Sequence, residues 1–178
     1  MPTPCRLIHK SGERVEVNLR CPHDHHRRVL GTEADWAAGL RAYEASHAAT
    51  ACPQCGEAEE VYAMGRHAVY DTEDGEPHPG DMYWTPCFRK EDGTADCTYW
   101  DNCDGQHLHV ILPNGRHWDI DSRASNCTLP NDRTHRCWIR TGEPPQVTAG
   151  KAGHTCSAGA GSILSGDYHG FLRNGVLT

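Results

Sequence analysis

The sequence predicts an α+β fold made mainly of antiparallel hairpins, with one clear helix at about residues 32–47. Three observations lead there. Short runs of alternating apolar and polar residues are separated by Gly, Pro and Asn turns. One segment alone has an apolar stripe of helical period. No alternation of strand and helix runs through the chain, so a doubly wound sheet is not expected. With 178 residues, 37% of them hydrophobic, and only two Phe against 18 Gly and 11 Pro, the core is thin for the length. Such a chain needs staples, and ten Cys and 13 His can supply them.

Taken in order, Cys5–His9 and Arg14–Leu19 read as two strands around the turn Lys10–Glu13. Val15, Val17 and Leu19 alternate with Glu16 and Asn18, the pattern of a half-buried strand. Thr32 suits a helix N-cap, with Asp35 three residues on, and Trp36, Leu40 and Tyr43 follow at i, i+4 and i+7. Cys52-Pro-Gln-Cys55-Gly56 is then a tight knuckle. Two thiolates so spaced bind one ion, and Gly lets the backbone turn beneath the sulfurs. Cys21 is the expected third ligand, and one of His23, His25 or His26 the fourth, with His25 carried forward. A tetrahedral structural zinc is expected there, since four protein ligands leave no open position. Cys87, Cys97 and Cys103, with His78 or His107, suggest a second metal site.

The organising stretch is His107–Asp121. Pro113-Asn114-Gly115 fits a three-residue hairpin loop, a type I turn closed by a left-handed residue. That loop sets Leu112 opposite Arg116, Ile111 opposite His117, Val110 opposite Trp118 and His109 opposite Asp119. Leu108, Val110, Leu112, Trp118 and Ile120 then share a core face. His107, His109, Ile111, His117, Asp119 and Asp121 share the other. Cross-strand His–Asp pairs orient an imidazole and fix its tautomer, so this face is the candidate catalytic or metal site.

Beyond it, residues 122–133 read as a polar loop, and His135–Arg140 as a strand with Cys137 and Ile139 on one face. Residues 150–166 are rich in Gly, Ala and Ser and could approach a phosphate, but match neither a Walker A loop nor a dinucleotide fingerprint. Residues 168–177 read as a last hairpin on an Asn-Gly turn. The organisation expected is a zinc-knuckle module at 1–66, an acidic Pro/Gly loop at 67–80 and a hairpin-rich main domain at 81–178.

Two resemblances add to this. SRASNCTLPNDRTHRCW, GHTCSAGAGS and YHGFLRNG, within residues 118–175, resemble uncharacterised Cys/His-rich proteins of phages and their bacterial hosts. That implies a viral or prophage source and brings no activity with it. The hairpin is similar to the His-to-Asp hairpin of papain-like and transglutaminase-like thiol enzymes. The resemblance implies His109 as base, Asp119 as its orienting partner, and Cys127 as nucleophile, in the His-then-Cys order of permuted members. Separately, His117-Trp118-Asp119 presents two ligands on one face, as in a facial-triad iron site or an open zinc site, which His169 could close.

The expectation is therefore a zinc-stabilised enzyme of hydrolase or transferase class, acting through metal-activated water or a Cys-His-Asp thiol. The metal version uses His117, Asp119 and one of His107, His109 or His169, with a catalytic zinc or iron. Arg123, Arg133 and Arg136 would hold an anionic, even nucleotide-containing, substrate. The alternative is a non-enzymatic zinc-stapled binding module, a phage-type adapter or inhibitor docking a protein or nucleic acid. The net charge of -7 argues against nonspecific binding to nucleic acid or anionic membranes. No apolar run reaches membrane-spanning length, and residues 1–17 carry no signal-peptide core, so a cytoplasmic location is expected, in a bacterial host if the source is a phage.

Overall fold

Alternation from Val15 to Leu19 seeds the longest strand pairing among the described residues. In a computed structural model that describes residues 1–31, 51–86, 106–120, 124, 127–129, 131–132, 137–151, 156 and 162–178, the chain divides into two units. One is Lys10–Glu76; the other is Met1–His9 together with Pro77–Thr178.

The Lys10–Glu76 unit is a three-stranded antiparallel sheet. Strand β3 (Lys10–Arg20) lies between β4 (His26–Leu30) and β5 (Glu60–Tyr70). Val15, Val17 and Leu19 are buried on one face, with Val29, Val61 and Met64 against them. Val61 and Met64 are three apart yet share that face. The register slips there, Asn18 pairing with Ala63 but Leu19 with Val61, so Tyr62 is an extra residue in a bulge. The bulge hides the period of two, so no strand is expected here from the sequence. A second slip between Lys10 and Gly12 carries β3 past Ser11.

In the other unit, β2 (Arg6–Leu7), β6 (Asp81–Pro86), β7 (Gln106–Ile111) and β8 (His117–Asp119) form a four-stranded sheet in that order. β2 and β6 are parallel; the other pairs are antiparallel. Residues 6–7 therefore pair with residues 81–82, and β3 with β5, instead of forming a hairpin with each other as expected. Asp81, 2% exposed, anchors β2: Arg6 Nε and Nη2 meet its two carboxylate oxygens at 2.5 and 3.3 Å, and the His78 N–H donates to it.

The rest is short hairpins. β9 (Trp138–Thr141) pairs with β10 (Thr148–Lys151), and β11 (Ile163–Ser165) with β12 (Tyr168–Gly170). β13 (Leu172–Arg173) and β14 (Val176–Leu177) turn on Asn174-Gly175, both at positive φ, as the Asn-Gly signal predicts. β1 (Thr3–Pro4) pairs with the far side of β14. These elements share a core with the four-stranded sheet, with Leu108, Val110, Leu112 and Ile120 at its centre. At β9 the expected sharing of a face by Cys137 and Ile139 fails: Cys137 and Trp138 are both buried and Ile139 is exposed.

The α+β class is thus corrected. The described residues form an all-β protein with no helix among them. Residues 32–47, where the helix was expected, lie outside the described residues. No helix is long and apolar enough to cross a membrane among the described residues.

Candidate functional site

Two groups of side chains stand out. The first is Cys21, His25, Cys52 and Cys55, whose donor atoms all lie within 4.8 Å of one another. Cys21 follows the last residue of β3. The Asp24 N–H bonds the Cys21 carbonyl and the Cys21 N–H bonds the His25 carbonyl, so the chain reverses tightly, with Asp24 at φ 58°. The knuckle is closed by Gly56, at φ 77°, whose N–H bonds the Cys52 carbonyl at 2.8 Å. Arg27 and Glu59 make a two-pronged ion pair at 2.6 and 3.3 Å that ties β4 to the segment after the knuckle.

These four residues fit a tetrahedral metal. Cys55 and Cys21 sulfurs are 3.6 Å apart, and Cys52 Sγ is 3.7 Å from His25 Nδ1. Zinc–sulfur bonds of about 2.3 Å at tetrahedral angles set sulfurs about 3.8 Å apart, whereas a disulfide needs about 2.05 Å. Burial pushes the Cys52 thiol up, but the N–H groups of Gln54 and Cys55 and the His25 ring outweigh it and bring it down to about 6. Cys55 receives the Glu57 N–H, yet burial and the neighbouring Cys21 and Cys52 push it up to about 11. A cation bound among the sulfurs would favour their ionised form.

The second group is the polar face of the hairpin. Its register is the expected one: His109 faces Asp119, Val110 faces Trp118 and Ile111 faces His117. The Leu112 N–H bonds the Arg116 carbonyl, the Gly115 N–H bonds the Leu112 carbonyl, and Gly115 sits at φ 78°. Asn114 fixes the turn further, donating to the Ser165 carbonyl at 2.7 Å and to Asp167 at 2.9 Å.

On this face His109 Nδ1 lies 2.6 Å from Asp119 Oδ1, at ion-pair distance, though the ring N–H does not point squarely at the oxygen. Tyr83, on β6 opposite His109, was not foreseen. Its ring stacks on His109 at 5.3 Å, and its hydroxyl bonds His117 Nδ1. Tyr83 could have been found only by knowing that β6 pairs with β7. Burial raises Asp119, but His109, then His107 and His117, outweigh it and hold its carboxyl below the usual range. Burial, with His109 nearby, lowers the His117 ring.

The other expected site residues are distributed as follows. His107 lies opposite Thr85 on the same sheet. His169 bonds Ser162 Oγ at 3.1 Å. Cys127 gathers with Cys137 and Cys156, which belong to the core formed by Leu108 and Val110, and not with His109. His117 and Asp119 form no three-donor group within 4.8 Å with His107, His109 or His169, all of them described residues, so no metal triad is assembled there. Asp121, Arg123, Arg133, Arg136, Cys87, Cys97 and Cys103 lie outside the described residues.

No protein-family model, no curated protein and no solved structure matches this chain.

Proposed function

We propose that the protein is a zinc-stabilised scaffold whose hairpin face does general acid–base chemistry of the hydrolase or transferase class, with His109 as base and Asp119 as its orienting partner. The 2.6 Å approach of His109 Nδ1 to Asp119 carries the reading. A carboxylate at Nδ1 selects the tautomer with its lone pair on Nε2, and stabilises the imidazolium formed when Nε2 takes a proton. Tyr83 and His117, bonded to each other beside it, supply a second proton-carrying pair. A His117 kept neutral accepts the Tyr83 hydroxyl at Nδ1. Neither a metal at this face nor Cys127 enters the scheme.

Zinc belongs to the Cys21/His25/Cys52/Cys55 cluster. Three thiolates and one imidazole suit zinc, and four protein donors leave no position for a substrate. The seven described cysteines are free thiols, which accords with a reducing, cytoplasmic setting.

The test is turnover of a panel of activated esters, amides and phosphodiesters by the metal-loaded protein. Asp119→Asn should lower kcat by about a hundredfold or more, as loss of an orienting carboxylate does, with metal content and circular dichroism unchanged. Equal turnover in the variant, or none by the wild type on any substrate class, refutes the reading. The exposure of His117 favours a second reading, a binding module that docks a partner on this face. Under it, the panel is inert and the His117→Ala variant loses capture of the partner.

A further inference from the structure

We infer that Cys127, Cys137 and Cys156 form a second zinc–thiolate site, in the unit that carries the hairpin. Their sulfurs lie within 4.8 Å of one another. Cys137 and Cys156, both buried, are 3.7 Å apart. That is the sulfur–sulfur edge of a tetrahedral zinc site, about 3.8 Å, and far from the roughly 2.05 Å of a disulfide.

Proximity alone would suit three cysteines packed as small apolar side chains. The backbone argues otherwise. The Leu129 N–H points at Cys127 Sγ, 3.4 Å away, and the Ala124 N–H bonds Cys137 Sγ. The Cys127 N–H in turn bonds the Ala124 carbonyl, so Ala124 and Leu129, held close to Cys127, aim donors at two sulfurs. The first cluster shows the same device: the Gln54 N–H serves Cys52 and the Glu57 N–H serves Cys55, each two residues on. Leu129 stands two residues after Cys127. Amide donors stabilise a thiolate more than a thiol, and apolar packing has no use for them.

The three ligands come from stretches far apart in sequence, with Cys137 and Cys156 separated by 19 positions. An ion here would join Cys127, Cys137 just before β9, and Cys156. Three sulfurs leave the fourth position to a donor outside the trio, and soft thiolates select zinc over harder cations.

The experiment uses the full chain, expressed with zinc and without a polyhistidine tag. Zinc content should fall by one ion per chain in Cys127→Ser and again in Cys156→Ser alone, while Cys55→Ser loses a different ion. After cadmium exchange, one thiolate-rich cadmium-113 resonance should vanish in the first two variants and survive in Cys55→Ser. Unchanged metal content in well-folded Cys127→Ser and Cys156→Ser overturns the site. Should those variants fail to fold, the wild type decides. Cys127, which is only partly buried, should alkylate after chelation and be protected when zinc is restored. Equal alkylation in both states overturns the inference.

Discussion

Loss of the ion from the Cys21/His25/Cys52/Cys55 cluster should melt the Lys10–Glu76 unit. The cluster cross-links the turn between β3 and β4 to the knuckle before β5, joining residues 34 positions apart. A cross-link of that span removes chain entropy worth about 4 kcal/mol. For a unit of this size each kcal/mol moves Tm by roughly 4–8 °C, so the fall should be about 15–30 °C. Cys55→Ser isolates the effect, because a chelator would strip every site. Differential scanning calorimetry reads the shift, and hydrogen exchange locates it: the amides of Val17 and Leu19, whose side chains are buried, should lose protection first. A variant shown by elemental analysis to lack the ion, yet melting within about 5 °C of wild type, would refute the claim that this cluster is a staple.

Other predictions concern the hairpin. The folded His117 ring holds its proton less tightly than the ordinary imidazole, so the unfolded chain gains a proton first as pH falls below about 6.5. Stability should decline through that window, and His117→Gln should flatten the decline, read as urea midpoints. Asp119 is lowered as well, which for a carboxylate favours the charged form in the folded state. Its contribution is present above about pH 3.9 and lost as pH falls through its lowered native value. The stability gap between wild type and Asp119→Asn should therefore close in acid. Gly115→Ala meets open space and should cost about 1 kcal/mol for its left-handed φ alone. Gly80→Ala should cost more in the same denaturation assay, because its Cβ would lie 2.6 Å from the Pro4 carbonyl oxygen. Leu108→Ala, at a fully buried position, should cost about 2–5 kcal/mol. A loss under about 1 kcal/mol would mean that Leu108 does not face a packed core.

How much of this is legible in sequence depends on how local the determinant is. The 113–115 turn fixes its own register, so His109–Asp119 follows from residues within one hairpin. The CPxCG knuckle announces itself, and Cys21 and His25 join it because β3 and β4 turn sharply beside them. Strand β5 is hidden by its bulge. The pairing of residues 6–7 with 81–82 leaves no local mark, so neither the sheet order nor the arrival of Tyr83 beside His109 could be read. Cys127, Cys137 and Cys156 share no spacing motif. They read separately as a nucleophile, a strand residue and a loop residue, and only the tertiary fold brings them together.

The division of the chain also sets an order of events during synthesis. The Lys10–Glu76 unit is one continuous stretch and can close its sheet as soon as residue 70 leaves the ribosome. The other unit cannot. Arg6 and Leu7 wait for Asp81 and Met82, and Thr3 and Pro4 wait for Val176 and Leu177. Until those partners are made, β2 and then β1 lack neighbours, with their ladder groups open to any extended partner. Their brevity, two residues each, and Pro4 within β1 make them poor templates for such pairing. The nascent chain thus carries a finished unit behind short, blunted strands whose partners are made after that unit.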